Sequence, residues 1–295
     1  MRTTLNDLLS DGQPVVADGG MGTMLFAKGL ERGSAPEVWN VERPDDVRSI
    51  HRGYIEAGAQ IVLTNTFGGN AIRLGMHGLA DRAHELNCAG AQLARQEADA
   101  AAQPVVVGGS MGPTGQMLEP LGDLTFDDAA AVFEAQASAL VEGGVDVLWI
   151  ETMADLEEVR AAVEGARRAA PELPLVATMT FDTRGRTMMG VTPERAVETL
   201  SAYNVIALGA NCGNGPDELE AVIGKMHAAD PAVSLIAKAN AGLPHMEDGQ
   251  AVYDASPDVM NAYAARVRTL GARIVGACCG STPDHIRAIA EALRT

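Results

Sequence analysis

Aromatic residues are scarce: Phe, Trp and Tyr number 5, 2 and 4 in 295 residues. The core must therefore be filled mostly by Ala, Val, Leu, Ile and Met. Basic residues are outnumbered, with 22 Lys and Arg against 39 Asp and Glu and a formal charge of −17. That deficit argues against broad contact with a phosphate backbone, so no nucleic-acid partner is expected. No stretch reaches the roughly 18 consecutive apolar residues of a membrane span. Residues 1–10 (MRTTLNDLLS) also lack the apolar run of a secretion signal. No membrane partner and a cytoplasmic location are expected. Low-complexity tracts and sequence repeats are absent. Cysteine is sparse as well. Cys88, Cys212, Cys278 and Cys279 are too few in a chain this long for a disulfide scaffold. Adjacent Cys278 and Cys279 make poor partners for one another, so a metal or catalytic role becomes the better question.

What is present is a rhythm of short apolar, β-branched runs. They fall at 15–19, 60–64, 104–109, 146–151, 174–180, 204–209, 233–238 and 273–277, continuous as expected of parallel strands buried on both faces. Helical patterns alternate with them at 45–57, 73–98, 125–142, 155–169, 192–202, 216–229, 256–270 and 283–293. Thr192-Pro193, Ser256-Pro257 and Thr282-Pro283 each supply a capping oxygen followed by a residue with no N–H to satisfy. Eight strand–helix units read as a single-domain (β/α)8 TIM barrel spanning 1–295. Three long connections, 19–44, 110–124 and 239–255, follow strands rather than helices. In a barrel they lie on the face that carries active sites.

Polar residues collect where strands end: Asp18-Gly19-Gly20, Thr64-Asn65-Thr66, Glu151-Thr152, Asn211-Cys212-Gly213, Asn240 and Cys278-Cys279-Gly280. The sixth and eighth strands flank the seventh, so Cys212 can meet Cys278 and Cys279, and Gly213 and Gly280 permit tight turns beside them. Three thiolates suit Zn2+. With three thiolate ligands the metal is a poor activator of water but a good template for a thiol, whose pKa it lowers while leaving the sulfur electron-rich. The chemistry this favours is attack of sulfur on an alkyl group. A closed structural zinc site is the alternative, although an eight-stranded barrel has little need of one. Glu151 and Asp18 are the candidate catalytic side chains, able to hold an α-ammonium group. Asn65 and Thr66 offer polar contacts, and the Gly19-Gly20 and Gly68-Gly69 backbones offer N–H groups to an α-carboxylate. That polarity fits a small amino-acid thiol. Cys88, inside a helical run, reads as a packed thiol. Of six histidines only His245 falls in a mouth loop, where it could line the site or touch a partner.

The motifs Asp18-Gly19-Gly20-Met21-Gly22-Thr23-Met24, Thr64-Asn65-Thr66-Phe67, Glu151-Thr152, Gly209-Ala210-Asn211-Cys212 and Gly276-Ala277-Cys278-Cys279-Gly280-Ser281-Thr282-Pro283 resemble the homocysteine S-methyltransferase family over essentially the whole chain. The resemblance implies a zinc-bearing barrel in which homocysteine accepts a methyl group to give methionine. It places zinc on Cys212, Cys278 and Cys279, and homocysteine contacts on Asp18, Thr64, Asn65, Glu151 and nearby backbone such as Gly19. DGGMGTML, Asn240-Ala241-Gly242-Leu243-Pro244 and CCGSTPDHI look most like the homocysteine-binding module of cobalamin-dependent methionine synthases. That implies a methyl-corrinoid on a separate partner protein as donor, docked by the loops after the first, third and seventh strands. Betaine or S-methylmethionine as donor is the alternative, because users of those compounds share the same cysteines. Lys238-Ala239-Asn240 departs from the synthase-like pattern, which usually has Pro in place of Ala.

Overall fold

Both faces of the apolar runs must be covered, and covering them builds a barrel. The computed structural model describes residues 2–243, 245–247 and 250–294. Its eight barrel strands are β1 (Val15–Val16), β2 (Ile61–Leu63), β3 (Val106–Met111), β4 (Val147–Met153), β5 (Leu175–Met179), β6 (Ala207–Cys212), β7 (Leu235–Ala239) and β10 (Ala272–Ala277). All pair in parallel in the order β1-β10-β7-β6-β5-β4-β3-β2. The two ends meet through a parallel bridge between Ala17 and Ile61. There the Asp18 N–H donates to the Ile61 carbonyl at 3.0 Å and the Gln60 N–H to the Val16 carbonyl at 2.8 Å. The expected (β/α)8 barrel is therefore closed.

The outer ring comprises α4 (Pro44–Glu56), α6 (Ala83–Ala100), α7 (Phe126–Glu142), α8 (Leu156–Ala169), α9 (Pro193–Ser201), α10 (Pro216–Ala229), α11 (Pro257–Thr269) and α12 (Pro283–Arg294). Thr125, Asp155, Thr192 and Ser256 cap their helices by accepting from the N–H groups of Asp128, Glu157, Arg195 and Val259, each worth about 1 kcal/mol. No described helix is long and apolar enough to cross a membrane.

Several local features depart from the sequence reading. A helix α1 (Leu5–Ser10), held by a reciprocal Thr4–Asp7 capping box, precedes the barrel. The insertion 19–44 holds α2 (Met21–Ala27), a 3-10 turn at Pro36–Val38 and α3 (Trp39–Glu42). The single helix expected over 73–98 is broken into α5 (Ala71–Gly75), a 3-10 turn at Ala80–Arg82 and α6. Gly78, at φ +71°, takes a left-handed conformation there that helix cannot continue through. The seventh connection carries an antiparallel hairpin, β8 (His245–Glu247) with β9 (Gln250–Val252). Pro244 of the quoted motif lies outside the described residues.

Inside the barrel, alternate residues point to the axis. Val15, Ala17, Ile61, Leu63, Val106, Val147, Trp149, Val176, Ala207, Ile236 and Ile274 form one interior cluster, with Leu5 of α1 packed against it. A larger cluster lies between strands and helices. Trp149 is the aromatic side chain of this interior cluster, while Tyr54, Phe133, Phe181 and Tyr263 are buried in the outer one.

Candidate active site at the barrel mouth

The alternation that points Val106, Trp149, Val176, Ala207 and Ile236 inward continues toward the strand ends as Ser110, Glu151, Thr178, Asn211 and Lys238, all buried. One turn of the barrel therefore changes from apolar to polar without any change in strand geometry. Above this layer lies a cavity of about 330 Å3 lined by Asp18, Thr64, Glu151, Lys238 and the three cysteines among others.

The cysteines come together as expected. The Sγ atoms of Cys212, Cys278 and Cys279 lie within 4.8 Å of one another, with Cys212 and Cys278 at 2.7 Å. Four ligands around Zn2+ at about 2.3 Å place sulfurs about 3.8 Å apart, so the cluster is of the right size, and Cys212 and Cys278 would part by about 1 Å to share the ion. Without a cation the three thiols do not ionise together. Cys279 is pulled down to about 3 by hydrogen bonds from the Cys212 and Cys278 thiols. Cys212 is pushed well up, first by its contacts with Cys278 and Cys279 and then by burial. The cluster on its own stabilises one thiolate, and a divalent cation is what would let all three ionise. Cys88 stands apart on α6, half-buried, with Gln92 Nε2 donating to its sulfur at 3.3 Å.

Two site residues that are not glycine sit at positive φ: Thr152 at 62° and Cys212 at 61°. Such positions cost roughly 1–3 kcal/mol each. Asn211 holds both. Its Oδ1 accepts from the Thr152 N–H (2.9 Å) and the Thr178 hydroxyl (2.7 Å), while Nδ2 donates to Thr152 Oγ1 (2.6 Å) and the Cys212 sulfur (3.4 Å). Asn240 ties the other cysteine loop to the first: Nδ2 donates to the Gly213 carbonyl at 2.7 Å and Oδ1 accepts from the Cys279 N–H at 3.0 Å.

Glu151 is 7% exposed and accepts from the Ser110 hydroxyl. Burial pushes its carboxyl up to about 7, against the attraction of Lys238 and with the Cys278 sulfur adding to the rise. Asp18 is engaged on both oxygens: Oδ1 accepts from Lys238 Nζ at 2.6 Å and Oδ2 from the Leu63 N–H at 2.7 Å. Burial raises the Asp18 carboxyl and opposes the Lys238 ammonium, but Asp18 and Glu151 together outweigh that opposition and hold Lys238 charged. An unpaired charge at either position would be far costlier than this ion pair.

Thr64 and Asn65 line the cavity with their side chains already committed. Thr64 Oγ1 meets Thr66 Oγ1 at 2.6 Å and accepts from the Ser110 N–H. Asn65 Nδ2 donates to the Pro36 carbonyl and to Asn40 Oδ1, fastening the insertion 19–44 to the barrel. Three of the four expected glycine N–H groups are spent inside the protein. Gly20 donates to Ser281 Oγ, Gly68 to Glu37 Oε1 and Gly69 to the Thr66 carbonyl; the Gly19 N–H has no such partner among the described residues. His245 is exposed on the hairpin, away from the cavity lining. Sequence reasoning missed Lys238, Asn211 and Ser110 as a set. The signal was available in Lys238, because a charge at the end of a strand buried on both faces demands a partner.

A family model for homocysteine S-methyltransferase matches residues 15–293. The chain belongs to the homocysteine S-methyltransferase family. Methionine synthases of Mycobacterium tuberculosis and Mycobacterium leprae are 38% and 37% identical to it, covering 99% and 95% of this chain. The chain spans only 25% and 24% of the length of those relatives. The oxidised and metallated forms of the homocysteine methyltransferase MmuM from Escherichia coli share its fold, at 24% identity and a TM-score of 0.83. They cover 99% of this chain and 100% and 99% of their own.

Proposed function

We propose that this chain methylates the thiol of homocysteine to give methionine, with one Zn2+ held by Cys212, Cys278 and Cys279 and a methyl-corrinoid protein as donor. The observation that carries the reading is the convergence of three thiols at the mouth of one cavity beside a buried carboxylate. Zinc, when bound there, would favour the thiolate of an incoming thiol while leaving its sulfur nucleophilic. The chain's own residues do the rest. Glu151 takes the substrate ammonium, and Ser110 fixes the carboxylate that does so. Asp18, Gly19, Thr64 and Asn65 shape the wall around the amino-acid head. Asn211 and Asn240 keep the two cysteine loops in register. The substrate sulfur forms a bond to the methyl carbon, the donor keeps the electron pair of the bond that breaks, and the thiol proton leaves to solvent.

Two observations support a protein-borne donor over a small onium compound. The chain is 38% identical to a methionine synthase, the group whose homocysteine-binding module its motifs resemble. Exposed large hydrophobic side chains also gather on the strand-to-helix connections, among them Phe26, Met76, Met117, Leu121, Leu243 and Met246, on the face where a macromolecular donor would approach. The test is a donor screen on the zinc-loaded chain with homocysteine, following methionine. Methionine formed from a methylated corrinoid protein is expected. Methionine formed only from betaine or S-methylmethionine would replace the donor, and methionine from none of them would reject the activity.

A further inference from the structure

Lys238 is a buried cation that alkylation of a thiol does not by itself require. Its side chain is 2% exposed, yet it lines the same cavity as Glu151 and the cysteines. An ammonium group carries three N–H donors. One goes to Asp18 Oδ1 at 2.6 Å, and the Trp149 ring lies 5.9 Å from Nζ. Among the described residues no other acceptor takes a hydrogen bond from it. Buried donors without acceptors are costly, and a charged one more than most. The cavity therefore holds a cation whose remaining donors have no acceptor among the described residues, beside a carboxylate, Glu151, of opposite sign.

Nearby backbone does not offer an equivalent anion site. The N–H groups of Gly20, Gly68 and Gly69 are taken by Ser281, Glu37 and Thr66, which leaves Gly19 alone of the four. An amino-acid thiol brings one anion and one cation on a single carbon, and beside the cysteines the cavity presents Lys238 and a Glu151 oxygen that takes no hydrogen bond among the described residues; Arg73, which also lines the cavity, lies on the Phe67 ring. Resting on the homocysteine reading, we infer that Lys238 receives the α-carboxylate of the thiol substrate while Glu151 receives its ammonium. Asp18 then acts as the counter-ion that fixes Lys238 in place, a positioning residue and not the holder of the substrate ammonium. Its two protein contacts, to Lys238 Nζ and the Leu63 N–H, lock the lysine tip from below.

The test compares two thiols on the zinc-loaded chain by calorimetry: homocysteine, and 3-aminopropane-1-thiol, which is the same molecule without its carboxylate. Wild type is expected to bind homocysteine tighter by about tenfold or more, the range of a hydrogen bond to a charged group. Lys238→Met should bind both thiols with nearly equal affinity, and Lys238→Arg should keep most of the preference. The ratio is taken within one protein, so a general loss of stability or metal cancels. Asp18→Asn/Lys238→Met removes the stranded carboxylate should the single variant fold poorly, and it should show the same lost preference. A Lys238→Met or double variant that keeps the full wild-type preference overturns the inference, as does a wild type that binds both thiols equally. A wild type that binds neither thiol contradicts the homocysteine reading itself.

Discussion

The lower and upper layers of the barrel are made by the same strands under opposite rules. Below, Val15, Ile61, Val106, Val147, Val176, Ile236 and Ile274 fill the axis with apolar atoms, and every one of them gains by leaving water. Above, the same inward alternation brings Ser110, Glu151, Thr178, Asn211 and Lys238 out of water, and two residues that are not glycine adopt positive φ. Each upper feature costs stability unless matched by a specific partner. The lower layer is thus where the barrel is held together, and the upper layer is where that stability is spent on chemistry.

That contrast can be broken most sharply at the cysteines. Cys278→Ser should abolish stoichiometric zinc and lower methyl transfer by more than the roughly 100-fold that loss of an outer-shell partner of a metal costs, because the ion that would hold the substrate thiolate is lost. Metal content and methionine formation check it, and near-normal values for both would erase the special status of the upper layer. Ile274→Ala, in the lower layer, should cost about 2–4 kcal/mol in denaturant unfolding while the folded protein still binds zinc normally.

Glu151 sharpens the comparison through pH. Its carboxyl rises from 4.5 to about 7 on folding, chiefly by burial, so the folded state binds more protons than the unfolded state between those values. Stability from this group is present below pH about 4.5 and is lost as pH rises through about 7, by roughly 3 kcal/mol at most. Glu151→Gln should remove that slope in metal-free protein, so unfolding free energies of the two proteins should diverge in the variant's favour across this window. Parallel curves would mean that the carboxylate is not confined as described. Cys88→Ala should have the smallest effect: zinc content and activity unchanged, stability altered by less than about 1 kcal/mol. A loss of zinc there would blur the distinction between the lone thiol and the cluster.

The barrel was legible because its strands are continuous apolar runs and its helices carry oxygen caps, signals that act locally. Helix α1 and the pieces within 19–44 were not legible, since seven or fewer residues give too little periodicity and they are held by contacts such as Asn65 to Pro36. The break at Gly78 was hidden inside an otherwise helical pattern. In the site, Cys212, Cys278 and Cys279 could be read because barrel topology fixes which strand ends are neighbours. Asp18 and Glu151 could be read as acids at strand ends, but their partners could not. The Lys238–Asp18 ion pair joins residues 220 apart in sequence. The contacts of Asn211 depend on Thr152 and Cys212 sharing an unusual backbone conformation, which no residue type announces.

The central claim is tested most directly by X-ray absorption at the zinc edge of the loaded chain, before and after homocysteine is added. Three protein sulfurs are predicted around the metal without substrate and a fourth sulfur with it. A spectrum that shows four protein ligands throughout, or that does not change when homocysteine is present, would contradict it.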